Sequence, residues 1–195
     1  EQGKKVVLCG GSHSTPLGYF QSLAERYDTF GILQFDAHMD LRKAYEGFEL
    51  SHASIMYNSL QLKQITKLVQ VGIRDFCNEE VELVKTQPDR IKVFYDAGIR
   101  RALYRGEHFK DIVQNIINEL PTHVYISFDI EALNPSLCPN TGTPVAGGLE
   151  IQEAFYILSE LKKSGRTIIG ADLNEVAGRP NEWDGNVGAR VLYKL

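Results

Sequence analysis

Cysteine is scarce in this chain. Only Cys9, Cys77 and Cys138 occur among 195 residues, odd in number, widely spaced and without a CxxC pair. Reduced thiols in a cytoplasmic protein are the expectation from that pattern. No apolar run approaches the length of a membrane span, so a membrane partner is not expected. An excess of basic residues is also missing. The formal net charge is -4 and the isoelectric point about 5.8, which argues against a nucleic-acid-binding surface. Internal repeats, low-complexity tracts and linkers are absent, so residues 1–195 read as a single domain. There is no secretory signal and no initiator Met: Glu1–Lys5 leads straight into Val6-Val7-Leu8-Cys9. That start suggests that an N-terminal part of the natural protein is lacking. What is present is an ordinary globular balance, 43% hydrophobic and 24% charged, enough apolar residues to bury a core.

Short apolar runs alternate with helical periodicity. Val6 to Gly10 reads as a short buried strand, followed by a helix opened by Thr15-Pro16 and continuing to about Tyr27. Further strands are expected at Ile32–Phe35, Lys67–Ile73, Ile91–Tyr95, His123–Ile130 and Thr167–Leu173. Helices are expected at Ser51–Gln61, from Asn78, at His108–Leu120, at Glu150–Lys163 and from Asn186 to Leu195. Leu41–Leu50 and the Pro/Gly/Asn-rich stretch up to Gly148 read as loops. Alternation of this kind predicts an α/β fold, a mainly parallel sheet with helices on both faces. Ligands in such sheets gather beyond the carboxyl ends of the strands.

Those ends carry the unusual residues. His13 follows Gly10-Gly11-Ser12, and Asp36-Ala37-His38-Met39-Asp40 follows an apolar run. Asp129 and Glu131 end another run, and Glu175 another. Asp36, His38 and Asp40 alternate, so an extended backbone would project them together. A plain alternative is a polar strand end whose aspartates cap the next element. Two imidazoles and four carboxylates exceed what one divalent ion needs, and suit two bridged by carboxylates. Mn, Fe, Co, Ni or Zn would accept such donors. Two ions roughly 3.5–4 Å apart can activate a shared water at neutral pH, so metal-assisted hydrolysis is the expected reaction class.

Gly10-Gly11-Ser12-His13-Ser14, Asp36-Ala37-His38-Met39-Asp40 and Ser127-Phe128-Asp129-Ile130-Glu131 resemble the three signatures of the ureohydrolases, the family of arginase, agmatinase, formimidoylglutamase and guanidinobutyrase. Val71-Gly72-Ile73-Arg74-Asp75, Thr141-Gly142-Thr143-Pro144, Gly147-Gly148-Leu149 and Asp172-Leu173-Asn174-Glu175-Val176 are similar to further family segments. The resemblance implies a three-layer α/β/α fold with two Mn2+ ions at the strand ends. It implies that His13 and Asp40 hold one ion, His38 and Glu131 the other, and that Asp36 and Asp129 bridge them. Asp129 and His52 would be catalytic, with His52 shuttling protons and touching substrate. Glu175 would pair with the substrate guanidinium, whose planar N–H fork fits a carboxylate. His52 as a helix-start residue is the alternative. His108 and His123 read as structural, and Trp183 as a packing or surface residue.

The implied partners are a small cationic guanidine or amidine and further copies of the chain, in a cytoplasmic trimer or hexamer. Leu41-Arg42-Lys43-Ala44-Tyr45-Glu46-Gly47-Phe48 lacks the Asn- and Ser/Thr-rich pattern of arginase-like recognition and looks more like agmatinase-type members. Hydrolysis of agmatine to putrescine and urea is therefore expected. Formimidoylglutamase or guanidinobutyrase activity is the alternative, since Arg42 or Lys43 could attract a substrate carboxylate. Glu131, Ser12, Asn134 and Asn140 depart from the family's usual residues. These departures motivate a third reading, a catalytically degenerate metal binder.

Overall fold

The computed structural model describes residues 5–178 and 182–195. Its strands are β1 (Val7–Cys9), β2 (Phe30–Phe35), β3 (Ile65–Ile73), β4 (Ile91–Tyr95), β5 (His123–Asp129) and β6 (Thr167–Asn174). They form one sheet in the order β1-β6-β5-β2-β3-β4, and every pair is parallel. The four strands expected to carry site residues, β1, β6, β5 and β2, are therefore neighbours. The expected parallel α/β architecture is what the chain adopts.

The helices are α1 (Leu17–Ala24), α2 (Ile55–Ser59), α3 (Asn78–Thr86), α4 (Asp96–Tyr104), α5 (Phe109–Asn118), α6 (Ile151–Lys163) and α7 (Trp183–Lys194). Because side chains alternate along a strand, β2 sends Ile32 to one face and Leu33 to the other. Ile32 packs with Phe20 and Leu23 of α1 and Ile55 and Met56 of α2. Leu33 joins Ile112 and Ile116 of α5, Ile157 and Leu161 of α6 and Val191 of α7. Both faces are covered, which is why β2 is apolar along nearly its whole length and buried at every residue.

Several expectations need correction. β1 is not buried: it lies at the sheet edge, and Val7 is 38% exposed. α1 stops at Ala24 rather than Tyr27. The helix expected over Ser51–Gln61 is a 3-10 turn, His52–Ser54, followed by the single short α2. α4 was not foreseen. Gly98 and two consecutive arginines interrupt its apolar spacing, and only Asp96 and Ile99 are buried.

One glycine is demanded by the backbone. Gly72 has φ +95, and a Cβ there would stand 3.0 Å from the Asp36 carbonyl oxygen. It lies where the β3–β4 register shifts, a bulge that turns the end of β3 around the polar cluster.

Candidate metal centre and cleft

The alternation of Asp36, His38 and Asp40 rests on an extended strand that the structure does not show. β2 ends at Phe35, and Asp36–Asp40 is not a continuing strand. His38 makes an isolated bridge to Asp75, and Asp40 adopts φ 55. A left-handed aspartate is uncommon and costs energy, so the surrounding contacts must hold it there. The Asp40 carbonyl accepts from Met56 N at 3.0 Å and Tyr57 N at 3.1 Å, which ties the turn to α2. Glu131 is likewise in a 3-10 turn after β5 and not in an extended strand.

The side chains nonetheless converge. His13 Nδ1 lies 2.9 Å from Asp40 Oδ2, 3.0 Å from Asp36 Oδ2 and 3.3 Å from Asp129 Oδ2. No hydrogen bond to Nδ1 is aligned in spite of these three neighbours. Beside this group, His38 Nδ1 lies 3.2 Å from Glu131 Oε2 and 3.5 Å from Asp36 Oδ1. Two clusters of possible ligands result, His13/Asp36/Asp129 and Asp36/His38/Glu131, and Asp36 is common to both.

This donor set fits divalent ions. Donors held about 2.0–2.2 Å from one ion stand roughly 3 Å from each other at right angles, which is the spacing found around His13. Oxygen and imidazole donors also suit manganese and its neighbours.

The charges lead the same way. Burial, and then repulsion from Asp36, pushes the Asp40 carboxyl up to about 7. The same causes raise Asp129 well above the carboxylate range. Burial disfavours a charged His13, but the carboxylates of Asp129, Asp36 and Asp40 outweigh it and raise its pKa. For His38 burial is again opposed, here by Asp36 and Glu131, and the imidazole rises to about 11. Asp36 is favoured as an anion: burial opposes this, but His13 and His38 prevail and lower its pKa. A metal-free cluster therefore holds protons where cations would replace them.

Behind the ligands runs a fully buried polar row, one residue per strand: Gln70, Gln34, Ser127 and Asp172. They are register neighbours across β3, β2, β5 and β6. Gln70 Nε2 donates to Gln34 Oε1 at 2.6 Å, and Gln34 Nε2 donates to Asp36 Oδ2 at 2.8 Å. His13 Nε2 meets Ser127 Oγ at 2.9 Å, and Ser127 donates to Asp172 Oδ1 at 3.1 Å. In that relay Nε2 serves as the donor, so Nδ1 faces the carboxylates and is the nitrogen left to bind a cation once its proton is lost. Ser127 and Asp172 fall inside family-like segments, but no role for any of these partners was read from the sequence. Polar residues at register positions inside apolar strands were the available signal.

A cleft of about 330 Å3 opens over the cluster, and His13, His38, Asp40, His52, Asp129, Glu131 and Glu175 all reach it. Glu175 also has a left-handed backbone, φ 60. Its Oε1 accepts from His13 N at 2.7 Å, and the residue lines the cleft. His52 rests edge-on against Tyr45, ring centroids 5.4 Å apart. The Arg42 guanidinium lies 5.6 Å from the centre of the same Tyr45 ring. Arg42 and Tyr45 share the cleft wall with Asp75 and Phe76.

The other histidines lie elsewhere. His108 precedes α5, and His123 packs on Tyr27 at 5.1 Å. Trp183 is a surface residue whose Nε1 donates to Ser136 O at 3.1 Å. The departures are accommodated locally. Asn134 Oδ1 accepts from Ser136 N at 3.0 Å, and Asn140 donates twice to the buried Asp184, each at 2.9 Å.

Over residues 1–195 the chain matches the Arginase family. It belongs to that family. The agmatinase of Bacillus subtilis (strain 168) is 32% identical over 197 residues, covering 100% of this chain and 64% of that protein. An N(1)-aminopropylagmatine ureohydrolase of Thermus thermophilus is 33% identical over 192 residues, covering 98% of this chain and 61% of that one. This arginase-family chain thus spans under two thirds of the length of these relatives. Among solved structures, an arginase from Medicago truncatula superposes with a TM-score of 0.82 at 25% identity, covering 100% of this chain and 60% of its own. No helix among the described residues is long and apolar enough to cross a membrane.

Proposed function

We propose that the protein hydrolyses a C–N bond of a linear guanidine, most specifically agmatine, to urea and putrescine. The observation that carries this reading is the convergence of His13, Asp36, Asp40 and Asp129 within 2.9–3.3 Å contacts beside His38 and Glu131. They open to a cleft that Glu175 also lines. In the proposal His13 and Asp40 would hold one manganese ion and His38 and Glu131 a second, with Asp36 and Asp129 contributing to both. When bound, such a pair supplies Lewis acidity and lowers the pKa of water toward neutrality.

The chain's own groups do the rest. Glu175, oriented by the His13 N–H, pairs with the guanidinium and fixes its plane against the cluster. The Asp129 carboxylate orients the attacking water, which forms the new C–O bond at the guanidine carbon. His52 delivers the proton that the departing amine needs as the C–N bond breaks. Atoms balance: guanidine plus water gives urea plus amine. Agmatine as substrate is supported by the agmatinase and aminopropylagmatine ureohydrolase relatives. A homo-oligomer in the cytoplasm belongs to the same proposal.

One observation favours a second reading. Arg42, stacked on Tyr45 at the cleft wall, suits a substrate with a carboxylate at its far end, such as formimidoylglutamate or guanidinobutyrate. A manganese-supplemented assay on agmatine, arginine, formimidoylglutamate and guanidinobutyrate tests both. Urea from agmatine alone supports the first reading, and formamide from formimidoylglutamate sinks it. A folded protein that binds metal but turns over none of the four would instead be the degenerate binder.

A further inference from the structure

Glu131 stands where the resemblance leads one to expect the shorter aspartate. Its extra methylene carries the carboxylate into the Thr141–Thr143 segment. Oε1 accepts from Thr143 N at 2.7 Å and lies 2.8 Å from the Thr141 hydroxyl. Oε2 accepts from the Thr143 hydroxyl at 2.9 Å and faces His38 Nδ1 at 3.2 Å. The Thr141 hydroxyl also lies 2.8 Å from the Glu175 carbonyl oxygen, so this segment is wedged between the two acidic residues. Glu131 is 2% exposed, and such contacts fix a buried carboxylate firmly.

The consequence is an unequal pair of sites. Around His13, three carboxylate oxygens stand at 2.9–3.3 Å; Asp36 Oδ2 also accepts from Gln34 Nε2, and the other two face the imidazole from Asp40 and Asp129. Around His38, Asp36 Oδ1 stands at 3.5 Å and already accepts from His38 N at 2.8 Å. Glu131 there has committed Oε1 to the threonines and keeps only Oε2 turned to the imidazole.

We infer that Thr143, with Thr141, is a positioning residue that sets the cation affinity of the His38 site through Glu131. The His38 site is the weaker of the two and fills second. This rests on the two-ion reading above. Removing the Thr143 hydroxyl frees Oε2 from its anchor while leaving every proposed ligand in place. Outer contacts of this kind are worth about 10–100-fold in metal affinity.

The test is titration of the metal-free full chain with Mn2+ alone, by calorimetry, with bound metal counted after dialysis. Wild type is expected to show two affinities. Thr143→Val is expected to weaken only the second, by about 10–100-fold, and Thr143→Ser to restore it. Equal weakening of both sites would overturn the inference, as would an unchanged second site in a Thr143→Val protein that melts like wild type. Should Thr143→Val fail to fold, Thr141→Val is measured in its place, with the same selective loss expected and the same outcomes counting against it. Wild type binding one ion or none would overturn the two-ion reading itself and this inference with it. Two ions of equal affinity would overturn only the inference.

Discussion

Both carboxylate oxygens of Asp129 are engaged. One oxygen accepts from Glu131 N at 2.7 Å, and the other faces His13. Asp129→Asn keeps the shape but removes the charge that the proposed bridge requires. Turnover should fall to background while circular dichroism and melting stay close to wild type, and retained turnover would refute the bridge. His52 touches the cleft without joining the cluster, so His52→Ala should lower kcat by about 10²–10⁴-fold and leave bound metal unchanged. Loss of metal from that variant would show a structural role instead. At this scale the sequence was legible where one residue type announces a chemistry, as at His13, Asp36, His38 and Asp40. Ser127, Asp172, Thr141 and Thr143 were not legible, because their work depends on partners 10 to 114 positions away.

Among the connecting segments, the loop after β5 depends on Arg74. Its guanidinium donates to Glu131 O at 2.8 Å, Val145 O at 2.9 Å, Gly72 O at 3.0 Å and Leu133 O at 3.2 Å. One side chain thus fastens both ends of the loop to the bulged end of β3. Each buried carbonyl left unpaired costs about 1–3 kcal/mol, so Arg74→Ala should lower unfolding free energy by at least about 2 kcal/mol. Urea denaturation checks this, and a midpoint equal to wild type would dismiss the role. Elements were read well where burial leaves a periodic trace, as in β2, β5 and α6. They were misread where tertiary contacts override the local signal. β1 is apolar yet lies at an edge. The Ser51–Gln61 segment is pulled into two short turns by hydrogen bonds to Asp40 and from Arg42 N to Ala53 O.

For the whole molecule, the cluster couples stability to pH and metal. With Asp40 raised to about 7 and His38 to about 11, the metal-free protein binds more protons folded than unfolded. Those contributions are present at low pH and lost as pH rises through these values, so metal-free stability should fall between about pH 5 and 8. Cation binding needs deprotonated ligands and strengthens over the same range. The gap in melting temperature with and without manganese should therefore widen from pH 5 to 8, and a constant gap would contradict the charge assignment. At 100 times Kd, manganese should add about 2.7 kcal/mol per site.

The strand order carries a consequence for synthesis. β6 follows the other described strands in the chain, yet it lies between β1 and β5. Until Thr167–Asn174 has left the ribosome, the segment bearing His13 lacks its β6 neighbour, and Ser127 lacks Asp172. A nascent chain cannot assemble the centre piecemeal from its amino end. Ribosome-bound chains arrested before Thr167 should remain accessible to protease at the Gly10–Ser14 segment, and protection there should arrive in one step with Thr167–Asn174.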